Sequence, residues 1–445
     1  MNHKDPIETK DPLDDKIDSL TNKDLEKALE LFRRKLNFYS AVYLNTCVHC
    51  GLCADSCHYY LADHDFRSLP AYKLNLVSGI FKKYYSITEK IIPGLTGAKA
   101  LNRALLKEWI DTLYGRCTMC GRCTINCSIG IHIPSLIRIA RGILSAFELT
   151  PAGLDTTVRA ALEKGNNMGV PLEEWTATVE WIQGEFQDEI HDETAQLPVD
   201  KKGARILYML NPREPMLYPM TITAAAKIFR AAGEDWTFAS DNFDMTNYAL
   251  FAGDEAAGAK IAERLVQAME RLECKILVIA ECGHGFNVNR WEAPEWLKTK
   301  YPFEVKSILE IMAQYIRDRK IKLDPLKNKE RVTLHDPCNL VRYGGIIEEQ
   351  RYILKHAVTD FVEMHPNRQK NYCCSGGGGQ LAMSRYKERR INAGKIKAEQ
   401  IKKTAAKIVV APCHNCIDQI TELNKYYQLG IEIKTVTELV ANALV

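Results

Sequence analysis

The sequence predicts an all-α domain built around two cysteine motifs, followed by two duplicated α/β lobes. Three observations predict this α + α/β fold class. Two copies of the pattern C-x2-C-x2-C-x3-C stand in the helical first part of the chain. Short β-branched strands then alternate with helical stretches in two similar segments of the second half, as in units with a parallel sheet. The second of these segments carries a group of cysteines beside a run of glycines.

The composition is that of ordinary globular protein without a strongly charged partner. At about 150 residues per domain, 445 residues predict about three domains. The chain is 46% apolar and 26% charged, and its net charge of +3 argues against nucleic acid or an anionic membrane surface as a partner. Residues 1–29 are interpreted as a polar leader without an export signal. No apolar run approaches the about 20 residues of a spanning helix.

The 15 cysteines are the most informative part of the composition. Without an export signal they are expected in the reducing cytoplasm, where metal and redox sites are more common than disulfides. Two groups of four read CVHCGLCADSC at residues 47–57 and CTMCGRCTINC at residues 117–127. Three thiolates in one tight loop, with a fourth on the outgoing helix, favour a cubane [4Fe–4S] cluster over the alternative of structural zinc, which pairs separated C-x2-C knuckles.

In two-cluster ferredoxins the fourth cysteine of each motif ligates the other cluster. Residues 30–150 are therefore predicted to form a helical ferredoxin-like domain with two cubanes. The expected ligands are, for the first cluster, Cys47, Cys50, Cys53 and Cys127 and, for the second, Cys117, Cys120, Cys123 and Cys57.

Helical patterns surround the first motif. Residues 23–44 read as one helix that leads into the first cysteine loop. Residues 76–91 carry apolar side chains three or four apart, until Pro93 and Gly94 end the run. This stripe predicts core packing, and the alternative is a docking face for a partner subunit. Residues 151–200 are interpreted as a helical connector.

The second half contains an internal repeat. CKILVIAECGHG aligns with AKIVVAPCHNC when Cys282 is placed on Cys413, and FEVKSILEIMA then matches IEIKTVTELVA further along. ARILYMLNP and RVTLHDPC begin the two copies. The repeat predicts two duplicated α/β lobes, a degenerate one at residues 201–322 and a complete one at residues 327–445.

The lobes differ in their cysteines. The first keeps Cys282, with Gly285 in the place of Cys416, and Cys274 reads as a buried apolar side chain. The second carries five, each at the end of a predicted strand or in the loop that follows. They are Cys338, Cys373, Cys374, Cys413 and Cys416.

The stretch NYCCSGGGG, residues 371–379, places two of these cysteines side by side. Adjacent cysteines suit neither an unstrained disulfide nor a single zinc ion, whereas different irons of a larger cluster can take both. The glycines would let backbone N–H groups approach the sulfurs. The alternatives are a reversible disulfide and a phosphate-binding loop, although the spacing G-x-x-x-x-G-K-[ST] is missing.

CCSGGGG, together with PCHNC and HDPC, resembles the cysteine-rich CCG domain, which reads C-x34-CC-x38-C-x2-C in this chain. The double cysteine motif ahead of two such lobes resembles the D-type iron–sulfur subunit of membrane-type heterodisulfide reductase. It is similar to the iron–sulfur subunits of the DsrK, Tmc and Hmc type, to which REPMLYP (213–219) and ECGHG (281–285) look closest. The resemblance covers residues 30–445.

The resemblance implies a noncubane [4Fe–4S] cluster, held by the five cysteines of the second lobe, at which sulfur–sulfur bonds are cleaved. Ser375 departs from the commoner motif, which has glycine there, and the degraded first lobe leaves at most one such cluster. Cys282 is a candidate extra ligand or reactive thiol, and His284 is a candidate proton donor. His335 and His414 are interpreted as hydrogen-bond donors to sulfur, with proton transfer as the alternative.

The implied function is that of an iron–sulfur oxidoreductase subunit in a membrane-associated respiratory complex. Electrons would pass between a quinone or cytochrome partner and a small sulfur-carrier protein or a disulfide or trisulfide substrate. The implied partners are an integral-membrane quinone- or haem-binding subunit, a multihaem cytochrome and ferredoxin-like subunits, on the inner face of the cell membrane. The alternatives are an electron-transfer subunit of a flavoprotein dehydrogenase for glycolate, lactate or glycerol-3-phosphate, and a non-catalytic scaffold with zinc in the CCG lobe.

Overall fold

The computed structural model describes residues 11–445. Its described chain begins with helices and continues with two small parallel sheets surrounded by further helices. No helix between residues 11 and 445 combines the length and the apolar character that a membrane span requires. The helices up to residue 190 are α1 (Asp14–Ser19), α2 (Asn22–Lys35), α3 (Phe38–Thr46), α4 (His58–Asp63), α5 (Pro70–Tyr85), α6 (Ile87–Ile91), α7 (Arg103–Trp109), α8 (Arg122–Ile125), α9 (Ile133–Ala146), α10 (Ala152–Lys164) and α11 (Leu172–Ile190).

The beginning of the chain is more ordered than its polar sequence suggests. Residues 1–10 of the expected leader 1–29 lie outside the described residues, but α1 and the start of α2 fall within it, and Ile17 is fully buried. The single helix expected over 23–44 is wrong. The chain breaks before α3 because the Asn37 side chain caps this helix, accepting a hydrogen bond from the Ser40 backbone N–H at 2.8 Å.

The apolar stripe at 76–91 divides between core and surface. Leu76 and Ile80 in α5 are fully buried, as core packing predicts. The following helix α6 turns its apolar residues outward, so that Ile87 is 73% exposed and Ile91 is 72% exposed. The alternative of an exposed apolar face therefore fits the second part of the stripe.

The first α/β lobe contains a four-stranded parallel sheet in the order β2-β1-β3-β4. Its core strands are apolar throughout, as expected for a sheet covered on both faces. The elements are β1 (Ile206–Met209), α12 (Arg213–Leu217), α13 (Met220–Ala231), β2 (Trp236–Thr237), α14 (Ala249–Ala252), α15 (Glu255–Leu272), β3 (Ile276–Ile279), α16 (Gly283–Asn287), α17 (Ala293–Leu297), β4 (Glu304–Ser307) and α18 (Ile308–Arg317).

The second lobe has a four-stranded parallel sheet in the matching order β6-β5-β7-β8. The aligned sequence segments form equivalent elements, since β3 and β7 lead into Cys282 and Cys413, and α18 and α23 both begin with a capping box. The elements are β5 (Arg331–Leu334), α19 (Glu349–Ala357), β6 (Asp360–Glu363), α20 (Lys387–Ala393), α21 (Lys395–Thr404), β7 (Ile408–Val410), α22 (His414–Tyr427), β8 (Glu432–Lys434) and α23 (Val436–Ala443).

The two sheets share one hydrophobic core, in which α13 packs on α23 and α18 packs on α19. Glu281 of the first lobe also binds the start of α23. Its carboxylate accepts hydrogen bonds from the backbone N–H groups of Val436 at 3.0 Å and Thr437 at 2.6 Å. The carboxyl ends of parallel strands meet at one edge of a sheet, and the loops that follow β5, β6 and β7 there carry the cysteines of the second lobe.

Candidate metal centres

The first four-cysteine set lines one cavity in the helical domain. Cys47, Cys50 and Cys53 lie in the loop after α3, and Cys127 approaches from the end of the second motif. Gly51 has a φ of +81°, a left-handed conformation that glycine adopts without strain. Four thiols around one cavity match the donor set of a cubane cluster. Cys50 is exposed, so this centre lies at the protein surface.

The second four-cysteine set lines a neighbouring cavity. Cys117, Cys120 and Cys123 come from the second motif, and Cys57 comes from the first. The Met119 backbone N–H donates to the Cys117 sulfur at 3.3 Å, a contact that stabilises an anionic sulfur. The two cavities thus exchange the fourth cysteine of each motif, in the arrangement that the crossed ligand sets predict.

All five cysteines of the second lobe are buried at one end of its sheet. The sulfurs of Cys374 and Cys416 are 3.3 Å apart, and Cys413 forms the N-cap of α22 one turn before Cys416. Cys373 is hydrogen-bonded to Cys338. Such close thiols are the donor set that a multi-iron group requires, since one iron does not comfortably bind both members of an adjacent pair.

The protons of these thiols are unequally shared. Hydrogen bonds from Cys373 and Cys416 hold the pKa of Cys374 well below its usual range. Hydrogen bonds from Cys282 and Cys416 do the same to the pKa of Cys413. The pKa of Cys416 is raised well above its usual range by its hydrogen bonds to Cys374 and Cys413. Two of the sulfurs are therefore the most readily ionised, and thiolate is the form that binds metal.

The first lobe contributes to this site as well. Cys282 is fully buried and hydrogen-bonded to Cys413, and its sulfur is 3.3 Å from Nδ1 of His284. His284 lines the same cavity as Cys338, Cys374, Cys413 and Cys416.

Two histidines named from the sequence lie within the second lobe. His335 and His414 are buried, and both ring nitrogens of each have no hydrogen-bond partner. Cys274 lies in the core of the first lobe with its pKa raised to about 11 by burial, as its assignment to an apolar position predicts.

The glycine run serves packing as well as the sulfurs. Backbone N–H groups of Ser375 and Gly376 donate to the sulfurs of Cys373 and Cys374 at 3.3 and 3.4 Å. A Cβ atom on Gly378 would lie 2.6 Å from the backbone of Thr118, in the loop of the second four-cysteine set. The absence of side chains thus lets the two cysteine loops press against each other.

The second and third cysteine sets are in direct contact. Cys120 of the second cavity is hydrogen-bonded to Cys373 of the CCG lobe. Arg342 and Tyr343, which follow Cys338, bind the Cys120 and Met119 carbonyl oxygens at 3.1 and 2.9 Å. The first and second cavities also share Ile133 in their linings. The three sets therefore form a continuous row from the surface to the buried CCG site.

A partly open cavity leads toward the buried site. It is lined by His132, Ser135 and Arg138 of the helical domain, and it shares Phe251 and Asn339 with the cavity of the CCG cysteines. This arrangement provides a route of approach for a small molecule or a flexible segment.

Buried basic residues near the sulfurs were missed by the sequence reasoning. Lys73 is buried, with its ammonium 3.8 Å from the Cys57 sulfur. Lys397 is fully buried beside Asn371, and burial lowers its pKa to about 8. Arg141 donates to the Cys117 carbonyl oxygen at 2.8 Å. No spacing in the sequence separates these residues from ordinary surface lysines and arginines, because their partners are distant in the chain.

Comparison with known families gives two matches. A model described as a cysteine-rich domain, CCG, matches residues 332–421, and one described as a 4Fe-4S dicluster domain matches residues 43–131.

Similar proteins were found over most of the chain. It is 28% identical to the "Hdr-like menaquinol oxidoreductase iron-sulfur subunit" of Archaeoglobus profundus, covering 94% of this chain and 83% of the relative. It is 24% identical to the D-type subunit of the "Dihydromethanophenazine:CoB--CoM heterodisulfide reductase" of Methanosarcina barkeri, covering 92% and 96%. It is 21% identical to the "EtfAB:quinone oxidoreductase" of Syntrophomonas wolfei, covering 85% and 55%. The resemblance predicted from the sequence is confirmed.

Proposed function

Because this chain joins a 4Fe-4S dicluster domain to a CCG domain, as the heterodisulfide-reductase-like iron–sulfur subunits do, we propose that it relays electrons to or from a sulfur substrate. It is the iron–sulfur subunit of a membrane-associated respiratory complex and acts as a heterodisulfide-reductase-like oxidoreductase. The observation that carries the proposal is the contact between Cys120 and Cys373, which joins the electron-carrying part of the chain to the buried five-cysteine site.

The cofactors of the proposal are two cubane [4Fe–4S] clusters and one noncubane [4Fe–4S] cluster. Each cubane takes the four cysteines of one cavity. The five cysteines of the CCG lobe hold the third cluster, with Cys282 as a sixth sulfur supplied by the first lobe. The matching order of the two sheets supports the duplication of the lobes, and the division of the chain at about residues 150, 200 and 325 follows the same assignment.

When bound, an iron–sulfur group at the five cysteines supplies electrons and an iron atom with affinity for sulfur. The overall reaction consumes two electrons and two protons for each disulfide and releases two thiols. The residues of the chain position the substrate and exclude water, since the cysteines, Phe251 and Asn339 around the cavity are buried. His284 holds a proton close to the site, with Nδ1 toward Cys282 and Nε2 without a partner.

The partners of the proposal follow from the relatives and from the surface. The name of one relative includes menaquinol, which supports an integral-membrane quinone- or haem-binding partner, with a multihaem cytochrome and ferredoxin-like subunits as further members. Electrons enter or leave at the first cavity, where Cys50 is exposed. The protein is cytoplasmic and peripheral on the inner face of the membrane. The substrate is a small sulfur-carrier protein or a disulfide or trisulfide.

A second candidate function is electron transfer for a flavoprotein dehydrogenase without sulfur chemistry. The relative named "EtfAB:quinone oxidoreductase" favours it, because electron-transfer flavoprotein appears in that name. A flavoprotein that copurifies with the chain would support this function. Reduction of disulfide or trisulfide carriers by the reduced chain would contradict it.

The first experiment measures iron, zinc and acid-labile sulfide per chain in anoxically purified protein, together with low-temperature EPR of the oxidised state. The proposal requires about twelve irons and an oxidised-state signal in addition to two reducible cubanes. About eight irons after anoxic reconstitution, or zinc in the CCG lobe, would rule out sulfur cleavage at this site.

A further inference from the structure

His335 is placed at the mouth of the CCG site by the strand that precedes it. Strand β5 ends at Leu334, and the His335 backbone N–H donates to the Val410 carbonyl oxygen at 2.8 Å, which extends the pairing with β7. The residue therefore stands on the same sheet edge as Cys338 and Cys413, which follow these two strands.

The ring of His335 has no partner of its own. It is 1% exposed, and neither Nδ1 nor Nε2 makes a hydrogen bond. Buried polar atoms of native proteins almost always have a partner, and an orphaned one indicates a group that binds there. Buried histidines usually satisfy at least one nitrogen with a carbonyl or a carboxylate. His335 thus offers a free nitrogen lone pair inside the cavity region.

The distances bring this nitrogen to two of the cysteines. One ring nitrogen of His335 and the sulfurs of Cys374 and Cys416 all lie within 4.8 Å of one another. Bonds of about 2.3 Å to sulfur and about 2.1 Å to nitrogen let one metal ion reach all three atoms after small side-chain movements. Among residues 11–445, no other histidine shares such a group with two cysteines.

We propose that His335 is a nitrogen ligand to an iron of the group held by the CCG cysteines, which makes this site a mixed sulfur and nitrogen centre. The inference rests on the proposed function, since it requires iron in the CCG lobe. A histidine in place of a thiolate removes negative charge and raises the reduction potential of an iron–sulfur centre. His335 is then the residue that distinguishes this centre electronically from the two all-cysteine sets.

The test uses the full chain, labelled with [15N]histidine, purified without oxygen and poised in its paramagnetic state. Pulsed EPR is expected to show a histidine nitrogen coupling as strong as that of a histidine-ligated [2Fe–2S] protein measured alongside. The coupling should disappear in His335→Gln and in His335→Cys, and the cysteine variant should retain its iron. Mössbauer spectra of 57Fe protein, read in any spin state, should lose the same nitrogen-bound iron site in both variants.

His414→Gln is the matched control, because His414 is equally buried and equally unpartnered but lies outside the group of close donor atoms. It should keep the strong nitrogen coupling. About twelve irons per chain with weak coupling only, or a coupling lost in His414→Gln, would overturn the ligand assignment and leave the proposed function standing. About eight irons would overturn both. The labelled unsubstituted chain decides the question even where a variant fails to fold.

Discussion

At the scale of single residues, the crossed ligand sets make a direct prediction. Cys57→Ser should remove the cluster of the second cavity, so that its reduced EPR spectrum matches that of Cys120→Ser. Cys127→Ser should instead match Cys50→Ser, because these two residues line the first cavity. Cys274→Ser, which changes a thiol in the core of the first lobe, should leave both spectra intact.

The opposite pairing of spectra, in which Cys57→Ser matches Cys50→Ser, would show that each motif binds its own cluster. Comparing variants with one another makes the result independent of any prior assignment of the signals. Iron analysis of each variant provides the second measurement, with a loss of about four irons expected for every cluster ligand.

A buried carboxyl group in the first lobe predicts a pH dependence. Glu214 is 1% exposed and accepts hydrogen bonds from the Asn211 backbone and the Thr221 hydroxyl. Burial raises its pKa to about 8, from 4.5 in the unfolded chain. A raised carboxyl pKa stabilises the fold while the group is protonated, and this contribution falls as pH rises from the unfolded value toward about 8.

We therefore expect Glu214→Gln to flatten the dependence of Tm on pH between about pH 6 and about pH 8. Each kcal/mol that the wild type loses over this interval lowers its Tm by about 2–4 °C. Thermal unfolding followed by fluorescence measures the effect, and Glu263→Gln on the exposed face of α15 is the control. Parallel curves for Glu214→Gln and the wild type would refute the assignment of the proton to Glu214.

At the scale of elements, two glycines in helices should respond oppositely to alanine. A Cβ on Gly153, near the start of α10, would lie 1.8 Å from the Ala382 carbonyl oxygen, beside the end of the glycine run. Gly184 lies inside α11 with no atom within 4 Å of its Cβ position. Gly153→Ala should cost about 1–3 kcal/mol through overpacking, whereas Gly184→Ala should stabilise the protein by about 0.5–1 kcal/mol.

Urea unfolding of the two variants measures both changes against the same wild type. The comparison separates a packing requirement from the general helix preference for alanine. A stabilised Gly153→Ala variant would mean that α10 does not approach the loop of the CCG site as closely as the structure has it.

Elements whose signals are local could be predicted from the sequence. Cysteine spacing within one loop identified all of the cluster loops, and alternating apolar runs identified the strands before Cys282 and Cys413. The break before α3 was missed, because a cap at Asn37 competes with a helical pattern that continues on both sides. The joining of Cys282 to the CCG cysteines was predicted only in part, since such contacts depend on how the two lobes pack.

At the scale of the whole molecule, one buried guanidinium connects the three parts of the chain. Arg141 is fully buried and donates to the carbonyl oxygens of Leu113 and Cys117 in the helical domain at 2.7 and 2.8 Å. It also donates to Phe251 in the first lobe at 2.7 Å and to Gly378 in the second at 3.0 Å. Burial lowers its pKa, and the Cys117 sulfur works in the opposite direction.

Arg141→Met should leave these carbonyl groups without a donor and destabilise the protein by about 3–5 kcal/mol. The EPR signal of the second cluster should be lost before that of the first, because Cys117 lies in the second cavity. Urea unfolding and iron content measure the two effects. Arg159→Met, which removes an exposed pair with Asp155, is the control and should change stability by less than about 1 kcal/mol. Equal behaviour of the two variants would contradict the connecting role of Arg141.

The carboxylate of Glu281 at the start of α23 bears on whether the second lobe can exist by itself. A fragment of residues 327–445 would contain every CCG cysteine, yet its last helix would lose two charge-assisted hydrogen bonds and the surface of α13 would be missing. We expect this fragment to take up less iron than the CCG lobe of the intact chain, as measured by reconstitution of both under the same conditions. The lobe with few cysteines is thus indispensable to its neighbour, much as one half of an obligate dimer is to the other.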